Sequence, residues 1–367
     1  MTDLSHPSPT TAREAASRQS GTPSRDAFGA VPPSSSPTAA QGTAPPLLSL
    51  RGVRQEFDTP RGRISAVSGV DLDVRPGSVV CLVGESGCGK TTTARAAAGL
   101  TAPSGGSVLF RGRDVAEMDG EERAAFRRSV QYIHQDPYAS LNPVRTVWST
   151  VTAGLRRHRM VRGRGEARAA AAALLERVDL SPAEDYLDTY PHQLSGGQRQ
   201  RVAVARALAM GPEVVIADES TSMLDVSIRV SLLTTLGRLR DELGVGFLFI
   251  THDLAVAKYF AWEGEIAVMY LGRVVEHGPA PRVVDDPRHP YTRALISAVC
   301  EPDPDLAHGR ERFGLRSADV PDLTDPPPGC DFHPRCPLHE AGGCDSARPP
   351  LVRHEGRLLS CHVVTRG

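Results

Sequence analysis

Three features together predict an α/β fold with a mixed β core. Short apolar, β-branched runs recur at Val79–Val83, Glu213–Ala217, Phe247–Ile250 and Ile266–Tyr270, each bounded by polar turns. Such runs suit parallel strands buried on both faces. Stretches of helical period lie between them, as at Gln198–Met210 and Val226–Leu243. A Gly-rich turn follows Val79–Val83 and leads into an Ala-rich helical stretch, the junction expected of a βα unit.

The composition bounds the class. The chain has 367 residues, 40% hydrophobic and 23% charged, enough for one large or two modest soluble domains. A net charge of −1 and a sequence pI near 6.9 provide no global attraction for nucleic acid. No run approaches the roughly 18 apolar residues of a membrane helix, and the start of the chain lacks an apolar leader region. A cytoplasmic protein is expected, reaching a membrane only through partner chains. The 42 basic residues include only two lysines, Lys90 and Lys258, a skew we read as genomic G+C bias.

Taken in order, residues 1–46 hold 22 Ser, Thr or Pro and four of Val, Leu, Met or Phe. That apolar content does not offset chain entropy, so a disordered tail is expected. The α/β region runs over 47–297. Its opening runs, Leu47–Val53 and Val70–Val74, have no long helix between them and read as an antiparallel β piece attached to the main sheet. A helical subdomain is expected at about 137–193. It carries an Arg-dense stretch, Arg156–Arg168, which reads as a solvated face. A C-terminal extension, 298–367, is rich in Pro, His, Arg and Cys, and its lack of periodicity calls for a staple.

The chemistry begins at Gly84. Gly84-Glu85-Ser86-Gly87-Cys88-Gly89-Lys90-Thr91 fits the P-loop pattern G-x-x-x-x-G-K-[ST]. Its glycines permit a tight loop whose N–H groups face phosphate oxygens, and the next helix adds its N-terminal partial charge. Lys90 neutralises the β- and γ-phosphates, Thr91 ligates Mg²⁺, and Thr92 completes the nucleotide-binding set. Cys88 lies inside the loop, so its alkylation is expected to block ATP. Asp218 and Glu219 follow the run Val214–Ala217. Asp218 is placed to hold Mg²⁺ through water, and Glu219 to polarise the attacking water as general base. Leu194-Ser195-Gly196-Gly197-Gln198-Arg199-Gln200-Arg201 opens a helix with a small polar residue and two glycines, a second anion site on the same chain.

That segment resembles the signature loop of ABC-type ATPases, and the remaining family elements follow in order. The fold implied is a P-loop NTPase of the ABC ATPase type. The resemblance implies a head-to-tail dimer in which each ATP lies between one subunit's P-loop and the other's Ser195, Gly196, Gly197 and Gln198. Gln135 resembles the Q-loop glutamine, a Mg²⁺ and water contact. Asp225, in Ser222-Met223-Leu224-Asp225, resembles the D-loop aspartate. His252 resembles the switch histidine, and Phe57 the adenine-stacking aromatic. Two residues depart from the pattern: Ser220 stands where the family carries proline, and Met223 where it carries a small residue. Both put the hydrolysis rate in question.

Gln135-Asp136-Pro137-Tyr138-Ala139-Ser140-Leu141-Asn142-Pro143, Met269–Glu276 and His289–Leu295 resemble segments of dipeptide and oligopeptide importer ATPases. The same layout occurs in importers of nickel and other small solutes. Cys330, Cys336, Cys344 and Cys361 are spaced C-x5-C-x7-C-x16-C. Four thiolates suit a [4Fe–4S] cluster, which some similar importer ATPases carry, or an all-cysteine Zn²⁺ site; nearby His333, His339 and His362 keep a mixed Zn²⁺ site open, and unligated thiols are the third reading. Cys81, Cys88 and Cys300 read as ordinary.

The expected function is ATP binding and hydrolysis coupled to import of di- and oligopeptides. The implied partners are two transmembrane permease subunits, a second ATP-binding subunit in a homo- or heterodimer and, indirectly, an extracytoplasmic solute-binding protein, with no nucleic acid. The implied place is the cytoplasmic face of the cell membrane. The alternatives are an importer for nickel or another solute, a soluble ABC ATPase of translation or DNA repair, and a regulatory module without turnover.

Overall fold

The computed structural model describes residues 44–60, 62–222, 224–298 and 313–366. The expectations placed on residues 1–43, Met223 and Cys300 lie outside the described residues.

The chain opens with two long antiparallel strands, β1 (Leu48–Thr59) and β2 (Gly62–Val74). β3 (Val79–Val83) starts the main sheet, and α1 (Lys90–Ala97) follows it. β4 (Gly105–Phe110) and β5 (Arg113–Asp114) then return to the opening pair. The four strands form an antiparallel sheet of their own, ordered β2-β1-β4-β5, with Leu48 of β1 opposite Phe110 of β4. It is attached to the main sheet through β2, where the Ser68 N–H donates to Gly272 O at 2.8 Å.

α2 (Gly120–Ser129) begins at a reciprocal capping box between Asp119 and Glu122 and leads into β6 (Val130–Ile133). A helical stretch follows: α3 (Pro137–Ser140), α4 (Val147–Arg157), α5 (Arg164–Arg177) and α6 (Glu184–Leu187). α7 (Gly196–Leu208) starts where Ser195 caps it. β7 (Val214–Asp218), α8 (Val226–Leu243), β8 (Gly246–Thr251), α9 (Leu254–Phe260) and β9 (Glu265–Tyr270) complete the alternating run. β10 (Arg273–Pro279), α10 (Ala280–Asp285) and α11 (Pro290–Ser297) follow.

The extension is less irregular than its composition implies. It supplies β11 (Val352–His354) and β12 (Arg357–Leu359), and β12 pairs with β10 through Glu276 and Leu359. Three-residue strands are too short for a period-two pattern to register in sequence. The main sheet is therefore ordered β11-β12-β10-β9-β3-β8-β7-β6, parallel from β9 to β6 and antiparallel beyond.

Alternation along the central strands divides the core. Val79, Cys81 and Val83 of β3, with Phe247 and Phe249 of β8, pack toward the helices that include α7, α8 and α9. Val80, Leu82, Leu248 and Ile250 pack toward α1 and the small sheet. Each such side chain fully buried stabilises the fold by about 1.5–3 kcal/mol. The central sheet is thus clamped on both faces, and its strand ends form a rigid rim.

Candidate active site

The strand register builds the site. Val83 stands beside Thr251, Ile250 beside Asp218, and Ala217 beside Ile133. Residues just past these parallel ends meet in the crevice where open α/β sheets take ligands. Gly84 follows β3, Glu219 follows β7, His252 follows β8, and Gln135 lies two residues past β6.

The loop after β3 depends on two glycines. Gly84 and Gly89 have φ of 157° and 104°, and a Cβ on either would overlap a carbonyl oxygen, of Met269 or Ala66. Gly89 is the N-cap of α1, so the loop closes onto a helix N-terminus. Ser86, Gly87 and Thr91 are exposed, and Thr92 is half-buried. Lys90 is buried; its Nζ donates to the carbonyls of Gly84 and Glu85, each at 2.8 Å, and lies 4.0 Å from Glu219 Oε1. The Cys88 thiol is buried inside the loop, and burial pushes its pKa up.

Glu219 is the centre of the rim. Its carboxylate accepts from Gln135 Nε2 at 2.9 Å, and His252 Nδ1 stands 3.5 Å away. The side chain is 14% exposed, shielded yet reachable. Its φ of 42° is strained for a non-glycine residue, and such strain persists where surrounding structure imposes it. The Glu219 N–H donates to Ile250 O at 3.0 Å. Ser222 closes the following turn, its N–H and Oγ both donating to Glu219 O at 3.1 and 2.9 Å. The turn therefore holds with Ser220 in place of proline.

Asp218 is buried, and burial raises its pKa against two opposing hydrogen bonds. Tyr132 Oη donates to Oδ2 at 2.6 Å, and Thr91 Oγ1 donates to Oδ1 at 3.0 Å. Asp218, Thr91 and Gln135 offer hard oxygen donors, the set that suits Mg²⁺. Burial also pushes the Tyr132 phenol up.

Ser195 to Gln198 form a separate unit. Ser195 Oγ accepts from the Gln198 N–H, and Gln198 Oε1 accepts from the Ser195 N–H at 2.8 Å. A Cβ on Gly197 would crowd Ile228 of α8. Asp225 caps α8; the Ile228 N–H and the Ser227 hydroxyl hold its carboxyl below the usual range. Among the described residues, none of these bonds reaches the Gly84–Thr91 loop. Phe57 is exposed on β1, opposite Ile64.

Residues 67–222 match the family model for the ABC transporter, and residues 275–344 match that for the oligopeptide/dipeptide transporter C-terminal region. An oligopeptide transport ATP-binding protein of Bacillus subtilis is 42% identical over 320 residues, 87% of this chain and 95% of its own. The chain belongs to the ABC transporter ATP-binding family, in its oligopeptide/dipeptide branch. A dipeptide transport ATP-binding protein of Haemophilus influenzae is 38% identical over 323 residues, 86% of this chain and 96% of its own. A dimeric ATP-binding cassette solved in a post-hydrolysis state with ADP and Pi is 30% identical, with a TM-score of 0.57, over 64% of this chain and 98% of that one. A cassette from a Clostridium perfringens transporter complex is 27% identical, also at 0.57, over 66% and 91%. The chain is thus an ABC ATPase, and no helix among its described residues is long and apolar enough to cross a membrane.

In this ABC ATPase two of the extension cysteines meet through the backbone, where the Cys330 N–H donates to Cys344 O at 2.8 Å. Burial pushes Cys330 up to about 12 and Cys336 up to about 11. All four are free thiols. Among the described residues, no three of His, Cys, Asp or Glu stand in a metal-holding arrangement.

Sequence reasoning missed three residues at the ATPase rim. Tyr132 was legible as a strand tyrosine three residues before Gln135, but its bond to Asp218 was not. Tyr291 and Arg335 contact Glu85 across sequence separations of 206 and 250 residues, and no local signal announces them.

Proposed function

We propose that this ATPase binds and hydrolyses ATP to drive import of di- or oligopeptides through partner permease subunits. The observation that carries the reading is the Glu219 carboxylate held among Gln135, His252 and Lys90 at the ends of four aligned elements. In this reading the Gly84–Thr92 loop wraps the phosphates and Lys90 neutralises them. Phe57 stacks on adenine. Mg²⁺ would be held by Thr91, Gln135 and Asp218, and it supplies charge neutralisation on the phosphates when bound. Glu219 takes the proton of the attacking water, and His252 addresses the γ-phosphate. Ser195, Gly196, Gly197 and Gln198 serve the ATP of a second ATP-binding subunit, with Asp225 at the seam. The test is Glu219→Gln: ATP binding persists, and turnover falls by at least about a hundredfold. A variant with full turnover removes Glu219 from this role.

The peptide assignment rests on the relatives, named for oligopeptide and dipeptide transport, and on the C-terminal region they share with this chain. It locates the ATPase at the cytoplasmic membrane face, with a solute-binding protein acting at the far side. For the extension we propose a thiophilic centre on Cys330, Cys336, Cys344 and Cys361, a [4Fe–4S] cluster or, alternatively, Zn²⁺. Four thiolates suit either centre, and loading one displaces the thiol protons. Anaerobic purification of the tagged chain from its own membranes tests both points. Two multi-span proteins and bound iron with sulfide, or zinc, are expected. Ribosomes or repair factors in place of multi-span proteins would discard transport, and metal-free protein would discard the centre.

A further inference from the structure

Glu85 places a carboxylate in a loop that binds a polyanion, and the extension holds it from outside the ATPase segment. Arg335 Nη1 and Nη2 donate to Glu85 Oε2 and Oε1 at 2.8 and 2.9 Å, a fork-to-fork pair. The guanidinium is 5% exposed and the carboxylate 27%. Its carbon lies 5.7 Å from the rings of both Tyr270 and Phe332, and its Nε has no partner among the described residues. Glu85 is therefore the chief compensation for a buried cation. A second contact comes from α11: the Glu85 N–H donates to Tyr291 Oη at 2.8 Å. Tyr291 is fully buried, its ring centre 4.6 Å from that of Tyr270 and 5.4 Å from that of Phe332. The third contact is the Glu85 carbonyl, which accepts from Lys90 Nζ.

We infer that Arg335 and Tyr291 are positioning residues of the nucleotide site, acting through Glu85. Arg335 neutralises the one acidic side chain of the phosphate loop and turns it toward the extension. Tyr291 fixes the peptide plane between Gly84 and Glu85, whose flanking carbonyls hold the Lys90 ammonium. The C-terminal region thereby sets the charge and shape of a loop 206–250 residues earlier. The inference rests on the reading that this loop binds ATP.

The test uses the full chain and ATP with Mg²⁺. Arg335→Gln keeps a polar stem in place and removes the charge. The uncompensated Glu85 carboxylate repels the phosphates, and KM for ATP rises roughly tenfold or more. Turnover at saturation stays within about twofold, the pattern of lost uniform binding. Adding Glu85→Gln to Arg335→Gln recovers most of the affinity, because the repelling charge is gone. Tyr291→Phe, which deletes one oxygen from a packed ring, raises KM about fivefold by loss of one hydrogen bond. A residue that merely anchors the extension would lower the melting temperature and leave KM alone. An unchanged KM in folded Arg335→Gln, or no recovery in the double variant, overturns the inference. If Arg335→Gln does not fold, an unchanged KM in Tyr291→Phe does so. Failure of the unaltered chain to bind ATP overturns the nucleotide reading itself.

Discussion

Asp218 is a buried acid, and among the described residues its side-chain donors are hydroxyls, Tyr132 Oη at 2.6 Å and Thr91 Oγ1 at 3.0 Å. Burial alone favours the neutral carboxyl, and the two hydroxyls favour the anion. Removing one therefore shifts the group toward its proton and away from a cation. Tyr132→Phe is expected to raise the Mg²⁺ concentration for half-maximal ATPase about tenfold, since a hydrogen bond to a charged group contributes about 1.5–3 kcal/mol. A titration of ATPase against Mg²⁺ checks it; an unchanged midpoint would make Tyr132 a packing residue only. Glu219 differs in kind. Its φ of 42° is held by the Ser222 turn and the Glu219 N–H bond to Ile250 O, so its reach toward Gln135 and His252 is built in before any ligand arrives.

At the scale of elements, α11 and its cap connect the sheet to the extension. His289 is the N-cap: its Nδ1 accepts from the Tyr291 N–H at 3.1 Å, while Nε2 faces Ser360 O at 3.1 Å. The neutral Nε2–H tautomer satisfies both contacts; a second proton on Nδ1 would point at an N–H. The neighbouring charged group is Glu276, whose carboxylate accepts from the His289 N–H at 3.0 Å and is itself paired to Arg357. Burial lowers the His289 pKa from 6.5 to about 4. The unfolded chain takes up this proton near 6.5 and the folded chain near 4. Stability from this group is thus fully present above 6.5 and drains away as pH falls to about 4, a loss of about 3 kcal/mol. Urea unfolding at pH 7.5, 5.5 and 4.5 checks this, with His289→Asn expected to flatten the part of the slope that belongs to the imidazole. An equal slope in both proteins would assign it elsewhere.

Across the molecule, among the described residues, the extension and the ATPase core share one sheet and several ion pairs, two of them each on a nearly enclosed arginine. β12 adds to the edge of β10, and Arg357 Nη1 meets Glu276 Oε1 at 3.0 Å with both side chains almost fully enclosed. Arg335 and Glu85 form the second pair. Buried pairs of this kind seldom add net stability over apolar packing, yet breaking one side leaves a stranded charge that costs about 3–5 kcal/mol. They therefore act more as registration devices than as adhesive. Their effect is to commit the extension to a single seating, and one of the two seats ends at the phosphate loop.

Local chemistry determined a good deal here. A loop such as Gly84–Thr91 is written in consecutive residues because one backbone turn and one helix start must be made from neighbours. α8 was legible over Val226–Leu243 from its period, and β3 from its unbroken apolar run. Lys90, Asp218, Glu219 and His252 could each be named from the residues around them. Their meeting could not, because it depends on parallel register between β3, β8, β7 and β6, and register is a property of paired strands. The same limit hid the four-stranded extent of the small sheet, the two short strands of the extension and the inward turn of Cys88. It also hid Tyr132, Tyr291 and Arg335, whose partners lie 86, 206 and 250 residues away. Sequence patterns report what a residue does within a few positions of itself; hydrogen bonds and ion pairs across such separations exist only once the sheet has brought the ends together.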